Sequence, residues 1–463
     1  MTPTRTPPAR KPDNAAAADS LTAYKWEPQP EAERWVRELV EEFLSACPFA
    51  KELAARMAAE TGTRFHDWID HIAIGPPDDW RRSLLSAGYA DSGNDWLKHP
   101  GGVFPPVLLG DTPDVEVALK VDSVMDFVAA HALTIEVLGE PLAPVRFATV
   151  SPRGQPTLMV IERHGFAHGD DRPAFDAPDA WALLHHSEAL RTRRRTFERE
   201  EQGFEHAADL IQRATDEIGR DRACDLFFAA EREYWTRRNR AAQFQYARQQ
   251  KLGLGWANHD HHTYRSSRRH FTRLIATFEK QGFICRERFY AGAEAGWGAQ
   301  VMEHPVTGIV TFNDVDLSPD ELVADFAHDP LPERDRLGTV GLWCALHGES
   351  FLEAGMHHLE CQFDFNALKG QLESQANVKV MKPFTDFPYL RQAFTEGERW
   401  PVRPERIDRL LKQGLITPEQ AEKFRREGAI GSHLENLERN QGFKGFNQTG
   451  VSEIISATDP RKH

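Results

Sequence analysis

The chain has 463 residues, a formal charge of −14 at neutral pH and 40% hydrophobic residues. That length and apolar content exceed one core, so two or three domains are expected. The acidic balance excludes nucleic-acid backbones and anionic membranes as main partners, since both demand a basic surface; a small molecule is the expected partner, and an anionic one would need local arginines.

Residues 1–29 open with a stretch rich in Pro, Ala, Thr and Arg and without a long apolar run. This excludes a secretory signal or membrane span and reads as a disordered tail. Residues 30–64 carry Trp35, Leu39, Phe43, Leu53 and Met57 at helical spacing with charges between them, which predicts one or two amphipathic docking helices.

Residues 65–166 read as an α/β unit. Strands are expected around 68–74, 115–120, 145–150 and 157–162, with helices over 79–87 and 123–132. Residues 167–252 turn to charged helices, including the run Arg191 to Glu200, whose mixed signs predict solvated helix faces. Gly253-Leu-Gly255 marks a hinge or helix stop before a new domain.

Residues 253–402 hold the chemistry. Asn258-His-Asp-His-His-Thr-Tyr-Arg265 reads as a strand, in which side chains two apart share a face, so His259, His261, Thr263 and Arg265 point one way. A helix over 268–280 and strands near 284–290, 299–303 and 308–314 complete a βαβββ unit. A second unit begins with Gly355-Met-His-His-Leu-Glu-Cys-Gln362. There Leu359, Cys361 and Phe363 suit a core, while His358, Glu360 and Gln362 form the polar face, which makes His358 a better ligand candidate than His357.

Two neutral imidazoles suit iron, zinc, nickel or copper, and a carboxylate beside them biases the site toward iron. The carboxylate is sought at Glu396 or Glu398, two apart in an extended segment; the plainer reading of that pair is a surface salt bridge beside Arg399. Two βαβββ units can curve into one open sheet around a metal, with His261 and His358 each on the first strand of its unit. Glu303 is a further candidate ligand. His71 and Glu162 make the N-terminal unit look like a degenerate, structural copy, while His262, His270 and His357 are read as surface or supporting residues. Residues 403–463 read as C-terminal helices over 404–411 and 417–427, the second capped by Thr417-Pro-Glu-Gln420, followed by a pocket-closing segment.

These motifs resemble the vicinal-oxygen-chelate superfamily, and more specifically the 2-oxoadipate dioxygenase/decarboxylase (hydroxyglutarate synthase) family. The resemblance covers motifs of the C-terminal half and leaves much of the first 250 residues outside it. It implies an α+β fold of paired βαβββ modules forming an open barrel, with a degenerate N-terminal copy and helical additions. It implies an Fe(II) cofactor held by His261, His358 and Glu396, the last favoured over Glu398. Arg265 would grip a substrate carboxylate, and Val451 and Ser452 would line the pocket. The implied reaction joins a 2-oxo diacid and O2 to give a 2-hydroxy diacid and CO2. Alternatives are an extradiol-type dioxygenase, a glyoxalase-like isomerase or a metal-free binding protein.

The five cysteines, Cys47, Cys224, Cys285, Cys344 and Cys361, are widely spread and lack CxxC spacing, which predicts reduced thiols in a cytoplasmic protein.

Overall fold

The computed structural model describes residues 25–463 except 76, 111, 113, 171, 173, 176–178, 448–454, 456, 457 and 463. Most of the expected N-terminal tail, and both Val451 and Ser452, therefore lie outside the described residues.

Two helices, Pro30–Ala46 and Pro48–Arg56, open the described chain, each started by a proline whose missing N–H costs nothing at that position. Val36, Leu39, Val40 and Phe43 recur on one face of the first and are buried against the N-terminal sheet. That sheet has seven strands: β1 (Ile69–Ile74), β2 (Ala90–Asp91), β3 (Trp96–Lys98), β4 (Val107–Leu109), β5 (Glu116–Lys120), β6 (Val145–Thr149) and β7 (Leu158–Arg163). Their spatial order is β2-β3-β4-β1-β5-β7-β6. β1, the helix Pro77–Ser86 and β2 to β4 form one βαβββ module. β5, the helix Val124–Ala130, β6 and β7 form a second that is one strand short, with an isolated bridge between Leu138 and Phe147 at its edge.

Four helices follow, Ala180–Arg191, Glu200–Ile218, Arg220–Thr236 and Arg240–Lys251. The Arg191 to Glu200 run departs from the solvated faces expected of it. Arg193 and Arg195 are buried and converge on Glu231 of the third helix, at 3.0 and 2.5 Å. A mixed-sign run looks the same in sequence whether its partners are water or a buried carboxylate far along the chain. The stop at Gly253 is real: Gly253 has φ +68°, and a Cβ there would meet the Phe127 backbone at 2.3 Å, so only glycine fits.

The second sheet holds β8 (His259–Arg265), β9 (Ile284–Tyr290), β10 (Trp297–Glu303), β11 (Val310–Asp316), β12 (His358–Gln362), β13 (Thr385–Phe387) and β14 (Leu390–Phe394). After β15 (Glu398–Trp400) and β16 (Ala429–Ser432), which pair only with each other, β17 (Glu435–Arg439) returns to it. The order is β13-β14-β17-β12-β8-β11-β10-β9. β8, the helix Phe271–Lys280 and β9 to β11 form one βαβββ module; β12, the helix Phe365–Gln375, β13, β14 and β17 form the other. The two meet where β8 and β12 run antiparallel.

The fold is thus the α+β architecture of paired βαβββ modules curled into open half-barrels, with helical additions. The fourth strand of the last module is β17, not the Glu396 segment, and so lies beyond residue 402. Helices Pro404–Lys412 and Pro418–Glu427 occupy the detour before it, the second held by the expected capping box of Thr417 and Gln420. Tyr264, Phe278 and Phe351 are among the largest fully buried side chains of the core behind this sheet. No helix among the described residues is long and apolar enough to cross a membrane.

Candidate metal centre

Strand register assembles the site. Across β12, β8 and β17, Glu360 stands opposite both His261 and Glu435, and His358 stands opposite Thr263. Because the side chains of a strand alternate, these residues share the concave face. His261 Nε2 lies 3.3 Å from Glu360 Oε1, which is 2.5 Å from His358 Nε2; His358 Nε2 in turn lies 3.9 Å from Glu435 Oε2. Donor atoms of His261, Glu360 and Glu435 all lie within 4.8 Å of one another, and all three side chains are buried.

The protonation pattern suits a cation. Burial pushes the His261 and His358 imidazoles down, so both are neutral and offer lone pairs. The Nδ1–H of His261 donates to Asp260 Oδ1 at 2.8 Å, which turns Nε2 into the pocket. Burial opposes charge on Asp260, yet the Arg439 guanidinium, at 2.7 and 3.0 Å, holds this carboxylate well below its usual range. Burial pushes both Glu360 and Glu435 up, and their proximity adds to the cost of ionising Glu360. Two buried carboxylates facing two neutral imidazoles are a donor set whose charge a divalent cation would balance. His358 Nδ1 and Glu360 Oε2 are buried without hydrogen-bond partners, as befits a site built for something besides itself.

Arg265 lies farther along β8 in the same cavity of about 50 Å³, whose wall includes Phe289, Phe312, Phe384, Phe394 and Phe446. Its Nε is 3.5 Å from Asp314 Oδ2 without making a hydrogen bond, and its guanidinium lies 5.7 Å from the Trp343 ring centre. Burial pushes Asp314 up to about 7, against the pull of Arg265.

The structure thus brings together His261, His358 and Arg265, but not Glu396. Glu396 is exposed, its Oε1 3.4 Å from Arg240, and Glu398 accepts from the Arg240 backbone N–H at 3.3 Å. The pair is a surface ionic cluster, with Arg240 rather than Arg399 as partner, and the carboxylates at the pocket are Glu360 and Glu435. Glu303 pairs with Lys444 and Arg286 at 3.0 and 3.3 Å, away from this cavity. His259 departs from the shared face. The register shifts between His261 and His259, and this bulge carries His259 to the other side, 5.0 Å from the His262 ring. His262 and His357 are buried rather than at the surface, their Nδ1 atoms engaging the Val310 and Gly431 carbonyls.

The N-terminal sheet repeats this layout. Its β1 carries Asp70-His71 with the same register shift, Asp70 hydrogen-bonds His71 at 2.8 Å, and Arg163 of β7 pairs with Asp70 at 2.8 Å. Register opposes His71 to Ala118 and Ala118 to Met159, where the C-terminal sheet has Glu360 and Glu435. The support of a ligand histidine is thus present twice, the carboxylates once. Glu162 falls three residues past the counterpart of Glu435 and pairs with Arg146 at 3.1 Å.

No protein-family model matches the chain, and no curated protein matches it. Among solved structures, a glyoxalase superfamily protein from Ralstonia eutropha JMP134 is similar with TM-score 0.33 and 10% identity, over 57% of this chain and 97% of that one. A mutant of 4-hydroxymandelate synthase from Streptomyces coelicolor is similar with TM-score 0.25 and 14% identity, over 85% and 98%. Methylmalonyl-CoA epimerase from Mycobacterium tuberculosis is similar with TM-score 0.23 and 13% identity, over 40% and 88%. Strand order and register define the architecture.

Proposed function

We propose that the chain is an Fe(II)-dependent dioxygenase and decarboxylase that converts a 2-oxo diacid of the 2-oxoadipate type, with O2, into a 2-hydroxy diacid of the 2-hydroxyglutarate type and CO2. The observation that supports this reading is the convergence of His261, His358 and Glu435 in one buried pocket that also contains Arg265. Two imidazoles and one carboxylate on one face suit iron and leave open positions for a chelating 2-oxo acid and dioxygen, whose reaction the metal would carry.

The remaining residues bind and orient. Arg265 would grip a substrate carboxylate through charge-assisted hydrogen bonds, replacing its long contact with Asp314, while Trp343 fixes the guanidinium plane. Asp260 keeps His261 in the tautomer that presents Nε2. The phenylalanine wall excludes bulk water. A cavity of about 50 Å³ is small for a six-carbon diacid, so binding requires wall side chains to shift. In this proposal Val451 and Ser452, outside the described residues, would line the pocket, as Asn447 and Ile455 do.

The test is anaerobic loading with Fe(II) followed by 2-oxoadipate and air. Matched O2 uptake and CO2 release are expected; a protein that takes up no iron, or that turns over catechols and no 2-oxo diacid, refutes the proposal. Glu360 supports a second reading, a glyoxalase-like isomerase with two imidazoles and two carboxylates around its metal. Glu360→Gln would then lower metal affinity as much as Glu435→Gln does.

A further inference from the structure

A second and larger cavity, of about 1300 Å³, lies between the N-terminal sheet, the helix Arg220–Thr236 and the outer side of β8. In a chain of net charge −14 its lining is inverted, with eleven lysines and arginines against eight carboxylates. Most of those cations have carboxylate partners, among them Arg163 with Asp70, Arg146 with Glu162, and Arg439 with Asp260.

Lys120, at the end of β5, and Arg232, in the middle of the helix, do not. Among the described residues, the Lys120 amine makes no hydrogen bond and no ion pair, and Arg232 has no carboxylate within ion-pair distance. The nearest polar contact of the Arg232 side chain is His262 Nε2, at 3.3 Å. Burial pushes the Lys120 amine down; Asp70 opposes this and Arg232 adds its repulsion. Asp122 and Asp225 act on both cations only from beyond ion-pair distance: Asp122 accepts the Trp256 N–H at 2.7 Å, and Asp225 contacts His164 at 3.0 Å.

Two cations that line this cavity, neither of them held in an ion pair, present N–H donors to an anionic ligand. We propose that this inter-sheet cavity binds a small-molecule oxyanion, carboxylate or phosphate, between Lys120 and Arg232. It is separate from the pocket of His261 and His358, which opens on the other face of the same strand. Charge-assisted hydrogen bonds from the Arg232 fork and the Lys120 amine would hold the anionic oxygens, and the volume admits a ligand of cofactor size.

The test uses full-length protein freed of metal by chelation, titrated calorimetrically with inorganic pyrophosphate in one arm and succinate in the other. Binding of at least one probe with Kd of about 1 mM or tighter is expected, and the arm that binds identifies phosphate or carboxylate chemistry. Lys120→Met with Arg232→Met should weaken it about tenfold or more, Lys120→Arg should retain it, and His358→Ala should leave it unchanged. A raised melting temperature of Lys120→Met without ligand is also expected, since it removes an amine whose charge is disfavoured by burial, and this checks that the variant folds. Absence of binding in both arms, or equal binding by the double variant, overturns the proposal.

Discussion

Glu360 and Glu435 are register partners on neighbouring parallel strands, both buried, and both with carboxyl groups pushed up by that burial. Such a pair is costly to ionise without a cation, and with one it becomes the acidic half of a metal site. The ligand assignment follows from this relationship. After anaerobic loading, Glu435→Ala is expected to retain little iron by elemental analysis, whereas Glu396→Ala retains wild-type content. Full iron retention by Glu435→Ala would return the third ligand to another residue.

Asp260 would act on a bound metal through His261. Asp260→Asn keeps the shape but removes the charge that fixes the imidazole, so iron affinity should fall about 10–100-fold. A competition titration with a chromophoric chelator reads this directly. Because Arg439 would lose its anionic partner in the same variant, some loss of stability is also expected. An unchanged iron affinity would show that the Asp260 carboxylate is structural only.

The three strands that carry the candidate ligands are legible in the sequence only in part, for a physical reason. His261 and His358 stand out because imidazoles on alternating positions of otherwise regular strands are visible to period-two reading. Glu435 is not visible that way: Glu435-Asn-Leu-Glu-Arg439 carries one apolar residue in five and sits behind two helices that make the C-terminal region look helical throughout. Asp260 was within sight, adjacent to His261, but strict alternation assigns it to the far face; the bulge that lets it reach Nδ1 is a property of the pairing, not of the segment. The copy in the N-terminal half was recognisable from His71, while its lack of carboxylates at Ala118 and Met159 depended on register.

Asp314 links pH to stability. Its carboxyl group, raised to about 7 from an ordinary 3.8, binds its proton more tightly in the folded chain than in the unfolded one. The stability this contributes is fully present below the unfolded value and is lost as pH rises through about 7, with a slope of at most about 1.4 kcal/mol per pH unit for one proton. Asp314→Asn should therefore flatten the fall in melting temperature between the two values, leaving the smaller share due to Asp316, which burial also raises. Identical pH profiles for the two proteins would contradict this.

Glu231 anchors two arginines where the sequence suggests solvent. Glu231→Ala leaves Arg193 and Arg195 buried without a carboxylate, and a loss of roughly 3–5 kcal/mol is expected in urea denaturation. Glu231→Gln, which keeps the hydrogen-bonding shape, should cost less. Equal, small losses in both would mean that the guanidinium groups find other partners.

The detour of two helices between β14 and β17 has a consequence for how the protein is made. During synthesis the imidazoles of β8 and β12 leave the ribosome well before the acid of β17 does, and the strand that pairs with β12 must wait for the intervening segment to fold aside. A nascent chain can therefore offer a cation only part of its coordination sphere. On the proposed ligand set, loading would be a late event coupled to closure of the last module, and iron withheld until after release should be accepted as readily as iron present throughout translation.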